Sequence, residues 1–90
     1  MQELRAIVSG IVQGVMYRAF TKSEAVRLGI CGYVKNVPNG TVEVLGQGSR
    51  ETLESFVALL EKGPTHARVS AVQVTWGEAR EIFTEFIIRA

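Results

Sequence analysis

The sequence predicts an α/β sandwich in which an antiparallel sheet is covered on one face by two helices. Three observations carry this. Strand-like and helix-like runs follow in the order strand–helix–strand–strand–helix–strand, with an additional C-terminal strand. Each helical run carries a single apolar stripe, so both helices can pack on the same side of one sheet. Pro38-Asn39-Gly40 holds the Asn-Gly pair that most strongly marks a hairpin between the second and third strands. Together these describe the ferredoxin-like βαββαβ arrangement plus one strand. Right-handed crossovers fix most of its topology, and the edge joined by the last strand is left open.

Residues 4–9 read as the first strand, central because apolar side chains occupy both of its faces. A glycine-containing stretch follows, and a helix is predicted over residues 19–28. Tyr17, Thr21, Ala25 and Leu28 fall on one side of it, with Lys22 and Arg27 off that side. Gly29 stands where a left-handed C-cap is wanted. Residues 30–36 form the second strand, with Ile30 and Val34 facing one way and Tyr33 the other. After the hairpin, residues 41–45 return with Val42 and Val44 on one face. Ser49 is the N-cap of a second helix whose stripe is Leu53, Phe56, Val57 and Leu60, closed by Gly63-Pro64. Residues 69–76 alternate with Val72, Val74 and Trp76 on one side. Residues 83–89 are a short final strand in which Phe86 and Ile88 share a face.

A chain of 90 residues, 47% hydrophobic and 21% charged, is expected to fold as one domain over residues 1–90. Its net charge of +1 lacks the broad basic field of a non-specific nucleic-acid binder. No apolar run is long enough to span a membrane. The single cysteine, Cys31, cannot form an internal disulfide and reads as a small core residue. The expectation is a cytoplasmic monomer with no nucleic-acid or membrane partner.

The chemistry gathers in Gly10-Ile11-Val12-Gln13-Gly14-Val15-Met16-Tyr17-Arg18. A short connection between a strand and a helix start turns successive backbone N–H groups toward one point, with the positive end of the helix dipole behind them. Gly14 can supply a positive φ and leaves room for an anion. Arg18 adds a planar fork of donors. As a plain surface residue Arg18 is disfavoured by about 0.3–1 kcal/mol, because it faces the positive end of the dipole. Residues 19–22 hold no acid to offset it, and a bound anion would reverse that sign. The first two strands are joined through a helix and run parallel, so their C-terminal ends share one edge of the sheet. Arg18 follows the first strand and Asn36 closes the second, which brings them to one rim.

These segments resemble the acylphosphatases. Residues 10–18 are similar to the family's first signature, G-x-V-Q-G-V-x-[FY]-R. Gly32-Tyr33-Val34-Lys35-Asn36, followed by Gly40, Val42 and Gly48, is similar to the second. The Gly63-Pro64 and Ala67-Arg68-Val69 segment extends the likeness over nearly the whole chain. The resemblance implies hydrolysis of acyl phosphates, mixed carboxylic–phosphoric anhydrides, to carboxylate and phosphate without metal or cofactor. It implies that Arg18 binds phosphate, that the backbone of Gly14, Val15, Met16, Tyr17 and Arg18 forms the cradle, and that Asn36 orients the attacking water. Inorganic phosphate or sulfate would then compete with substrate.

The residue types suit that reaction. The leaving group is a carboxylate of low pKa and needs no general acid, so positioning and charge stabilisation suffice. From sequence alone Asn36 also reads as a turn residue bonding its own backbone before Pro38. His66 lies in a loop with no partner at ligand spacing, and Glu51, Glu54 and Glu61 read as solvent-face charges. Nothing near Cys31 would activate it as a nucleophile. The alternative is a non-catalytic regulatory module that binds a phosphorylated or carboxylate metabolite in the same cradle. A third reading, an accessory domain for carbamoyl phosphate as in larger maturation enzymes, is disfavoured for a chain of this length starting at Met1.

Overall fold

Alternation of apolar and polar residues drives the strands and a 3.6-residue stripe drives the helices. In the computed structural model, which describes residues 1–90, they are β1 (Gln2–Ile11), α1 (Tyr17–Leu28), β2 (Cys31–Asn36), β3 (Val42–Gly48), α2 (Arg50–Lys62), β4 (Arg68–Glu78) and β5 (Phe86–Arg89). The sheet order is β4-β1-β3-β2-β5. β1 lies between β4 and β3 and is antiparallel to both, as β2 is to β3. The βαββαβ plan therefore holds. The wholly antiparallel sheet does not: β5 pairs with β2 in parallel, so the sheet is mixed. The cause lies in the path of the chain, because β4 ends at the opposite edge and residues 79–85 must cross the sheet before β5 begins. Gln47 holds that crossing. Its amide donates to the Glu81 carbonyl and to Glu3, and its Oε1 accepts from the Phe83 N–H.

The core lies between the sheet and the helices. Leu4, Ala6, Val8, Val34, Val42 and Val44 supply the sheet side, and Tyr17, Ala25, Leu53, Phe56 and Leu60 the helix side. The predicted helical stripes are the buried ones, although Leu28 and Val57 are only partly covered. α1 buries Thr21, whose hydroxyl donates to the Tyr17 carbonyl one turn back at 2.9 Å and so carries no unmet polar group inward. Ser49 caps α2 as expected, accepting from the Thr52 N–H. Two expectations need correction. Helix α1 starts at Tyr17 rather than Ala19, so Tyr17 and Arg18 belong to its first turn. Cys31 is half-buried rather than in the core, because it opens β2 next to the helix C-cap Gly29.

Tyr33 faces away from the helices and is nonetheless buried. The Phe83 ring meets it edge-on at 5.9 Å, and the Arg89 guanidinium lies 4.1 Å from its centroid. Burial and a hydrogen bond to Glu43 push its phenol above the usual value. Two glycines make the strand pairings possible. A Cβ at Gly10 (φ 124°) would collide with the Arg68 carbonyl oxygen, and one at Gly32 (φ 147°) with that of Leu45. Gly10 coincides with a bulge against β4, after which Ile11 is exposed and Val12 buried. The chain thereby leaves β1 and turns over the sheet toward α1.

Candidate active site

The connection between β1 and α1 contains two left-handed residues, Gly14 (φ 74°) and Met16 (φ 67°). Helix α1 begins directly after Met16 with no side-chain cap and no acid in its first turn. By contrast, α2 has both a capping serine and Glu51. The first backbone bond of α1 is Phe20 N–H to the Met16 carbonyl at 3.0 Å, and the amides of Val15 to Ala19 find no acceptor in the chain. A row of free donors at a helix start can receive an anion. Gly14 needs its glycine for the positive φ rather than for room, since nothing lies within 4 Å of where a Cβ would stand. The Val15 side chain packs against the core. That of Tyr17 is 1% exposed and donates to the Leu60 carbonyl at 2.8 Å. Burial raises the Tyr17 phenol well above its ordinary value, which keeps it a neutral donor. Both residues therefore offer the site their backbone, while their side chains anchor the loop.

Arg18 and Asn36 do converge. Together with Gly14, Met16 and Ile88 they line one cavity of about 330 Å³ at the C-terminal ends of β1 and β2, within the range of small-molecule sites. Arg18 is half-buried, and its Nη1 donates to the Arg89 carbonyl at 3.1 Å. That bond fixes one arm of the guanidinium and leaves the rest of the fork free. Asn36 is the more telling residue. Its Oδ1 is buried and accepts no hydrogen bond from the chain. A buried carboxamide oxygen without a donor is costly, and such atoms concentrate where a ligand completes them. The turn role open to Asn36 in the sequence belongs to Asn39, whose Oδ1 accepts from both the N–H and the hydroxyl of Thr41.

Sequence reasoning missed two contributors. Gln13 lies inside the first signature and received no role. Its Nε2 donates to the carbonyls of Val37 at 2.8 Å and Thr41 at 2.9 Å. It therefore ties the cradle to the neck of the hairpin that follows Asn36. The only sequence signal was a polar side chain amid small and apolar neighbours. The second contributor is β5, whose position beside β2 brings Arg89 to Arg18. His66 is exposed and is not among the cavity's lining residues. No group of three or more His, Cys, Asp or Glu side chains is placed to hold a metal ion. The donor set is thus a guanidinium, a carboxamide and a row of amides, which can bind and orient a phosphoryl group.

Comparison with known proteins identifies the family. The acylphosphatase family model matches residues 4–88. An acylphosphatase of Thermus thermophilus is 53% identical over 78 residues, covering 87% of this chain and 89% of that protein. One of Dehalococcoides mccartyi is 44% identical over 90 residues and 99% of each chain. The crystal structure of acylphosphatase from Bacillus subtilis superposes with a TM-score of 0.97 at 37% identity, over 100% of both chains. A family model spanning nearly the whole sequence, joined to these relatives, places the chain in the acylphosphatase family.

Proposed function

We propose that the cavity at the β1–α1 connection carries out the family's reaction with Arg18 and Asn36 in separate roles. The reaction is hydrolysis of an acyl phosphate to a carboxylate and inorganic phosphate. The amides of Val15 to Ala19 and the free arm of Arg18 receive the phosphoryl oxygens. Asn36 Oδ1 accepts one O–H of a water and turns that water's lone pair toward phosphorus. Attack forms one P–O bond as the P–O bond to the acyl group breaks. The carboxylate leaves with the electron pair, and the proton of the attacking water passes to the phosphate product or to solvent. No charged base or acid is required, because the leaving carboxylate is stable as an anion. The cradle and the guanidinium stabilise charge on the equatorial oxygens in the transition state.

The single observation that carries this reading is the buried Asn36 Oδ1, left without a donor inside the same cavity as Arg18. A backbone N–H or a side-chain hydroxyl bonded to that oxygen would have committed it to the fold. The lone thiol Cys31 has no partner for an internal disulfide, which supports a reducing compartment as the setting. The decisive experiment incubates the protein with an aromatic acyl phosphate in excess chelator and follows phosphate release. Turnover that persists in chelator, with little action on a phosphate monoester, is the expected result. Binding of the acyl phosphate without release would convert the reading to that of a regulatory module.

A further inference from the structure

The two edges of the sheet are finished differently. β5 closes one side with four residues, and a short edge offers little to pair with. β4 closes the other with eleven, Arg68–Glu78, and its only neighbour is β1. No backbone bond formed outside the helices and strands reaches residues 68–78. The outward N–H and C=O groups of β4 therefore have no backbone partner. Residues 69–77 contain neither a charged side chain nor a proline, the usual means of keeping an edge single. One protective device is present. A bulge at Ser70 disturbs the end near Arg68, and residues 71–78 keep regular register with β1.

The residues of this edge are complementary to themselves. Antiparallel pairing about a two-fold axis brings Arg68 of one copy to the end where Glu78 of the other stands, and the reverse. Arg68 has no carboxylate partner in the chain. Glu78 holds only the N-terminal ammonium and the Gln2 amide, both exposed contacts at 3.2 Å, which are weak. An axis at Val74 centres the regular run and sets no like charges opposite one another within it. Val74 then faces its own copy, Val72 faces Trp76, and Gln73 faces Thr75. Val72, Val74 and Trp76 lie on the helix side, partly buried against the core. Aromatic and β-branched side chains directly opposite each other stabilise an antiparallel pair. At the same edge a cavity of about 360 Å³, lined by Glu54, Val57, Val74 and Trp76, opens between α2 and β4. A second strand laid along β4 would cover its apolar side.

We propose that the β4 edge is an interaction surface for a second copy of this chain, in which two β4 strands pair antiparallel about a two-fold axis at Val74. The pairing joins two five-stranded sheets into one continuous sheet with all the helices on the same side. It departs from the monomer expected from sequence, since an edge becomes visible only once the strand order is known. No residue of β4 lines the cavity holding Arg18 and Asn36, so both cavities stay open in the pair. The proposal is independent of the reaction assigned to that cavity.

The test is sedimentation equilibrium of the full chain from micromolar to millimolar concentration, on the wild type and two double variants. Gln73 and Thr75 are both exposed, so charges at these positions leave the single chain folded, which circular dichroism of dilute samples checks. Gln73→Lys with Thr75→Lys sets like charges opposite one another across the axis. Gln73→Lys with Thr75→Glu sets Lys opposite Glu in the same register. The wild type is expected to pass from the mass of one chain to that of two. The lysine–lysine variant should associate at least about tenfold more weakly. The lysine–glutamate variant should associate at least as tightly as the wild type at low salt and more weakly as salt is added. A wild type that stays a single chain up to about 1 mM, where specific pairs of even weak affinity form, overturns the proposal and leaves the edge to a strand of another protein. So does a lysine–lysine variant that pairs like the wild type, an equal loss in both variants, or a mass that grows past two copies.

Discussion

Replacing Asn36 by alanine separates catalysis from stability, because the two effects should have opposite signs. The side chain makes no hydrogen bond within the chain, and its Oδ1 is buried. A buried acceptor without a partner costs the fold about 1–3 kcal/mol. Deleting it returns that amount, less the packing lost from a half-buried side chain, about 1 kcal/mol. The expected unfolding free energy of Asn36→Ala is therefore unchanged or up to about 2 kcal/mol higher. For a domain of this size each kcal/mol moves Tm by about 4–8 °C. Catalysis should move the other way. Loss of one preorganised polar group in a transition state costs about 10²–10³ in kcat, or about 3–4 kcal/mol. Competitive inhibition by inorganic phosphate should stay near the wild-type level, since the proposed mechanism gives the oxygens to Arg18 and the amides. The assays are phosphate release from an acyl phosphate, phosphate inhibition of that release, and thermal unfolding. A variant that melts several degrees lower while keeping full kcat would show Asn36 to be a structural residue and refute the water-positioning role.

Two further substitutions probe the groups around it. In Arg18→Lys a single ammonium must replace a fork that bonds the Arg89 carbonyl with one arm and is free on the other; phosphate affinity is expected to fall at least tenfold and kcat/KM by about 10²–10³. The same variant should largely lose the stabilisation that saturating phosphate gives the wild type, about 2.7 kcal/mol at a hundredfold excess over Kd, which differential melting with and without phosphate would measure. Gln13→Leu keeps the volume but deletes both bonds to the hairpin neck. It should lower stability by about 1–2 kcal/mol and kcat by roughly 10–100-fold as Asn36 loses its register with the cradle, an expectation that unaltered kcat in a destabilised variant would overturn.

Legibility in the sequence followed the range of the interactions. Stripes such as Leu53, Phe56 and Leu60 repeat within one element, so their faces could be read directly, and the structure buries all three. The convergence of Arg18 and Asn36 was also legible, because it follows from a helix joining two parallel strands. The partner of β5 was not. Alternation in four residues, Phe86–Arg89, gives a face but no neighbour. That neighbour is selected by a side chain elsewhere: Gln47, next to the end of β3, bonds the backbone at Glu81 and Phe83 on the crossing segment. Gln13 is the same case, with partners 24 and 28 residues away. A glutamine that bonds distant backbone leaves no periodic trace. The early start of α1 was missed for a local reason, since neither Met16 nor Tyr17 is a capping residue.

The unfavourable features of the chain are not spread over the fold but meet at one cavity. The sole non-glycine left-handed residue, the uncapped helix start and the one buried side-chain oxygen without a partner are Met16, residues 15–19 and Asn36. Elsewhere the same chain caps α2 with Ser49, satisfies buried Thr21 and Gln47, and gives Tyr17 an acceptor. A fold that pairs its other buried side-chain polar atoms, yet leaves groups open where three segments converge, suits a ligand that supplies what is missing. What is missing has a definite chemistry: acceptors for a row of amides and for a guanidinium arm, and a donor for one carboxamide oxygen. The dianionic phosphoryl group of an acyl phosphate supplies the first two and, carrying no O–H, cannot supply the third. A water molecule can supply the third. On the proposed reading the complement of this cavity is therefore the phosphoryl group of an acyl phosphate together with a water, the two reactants of the hydrolysis.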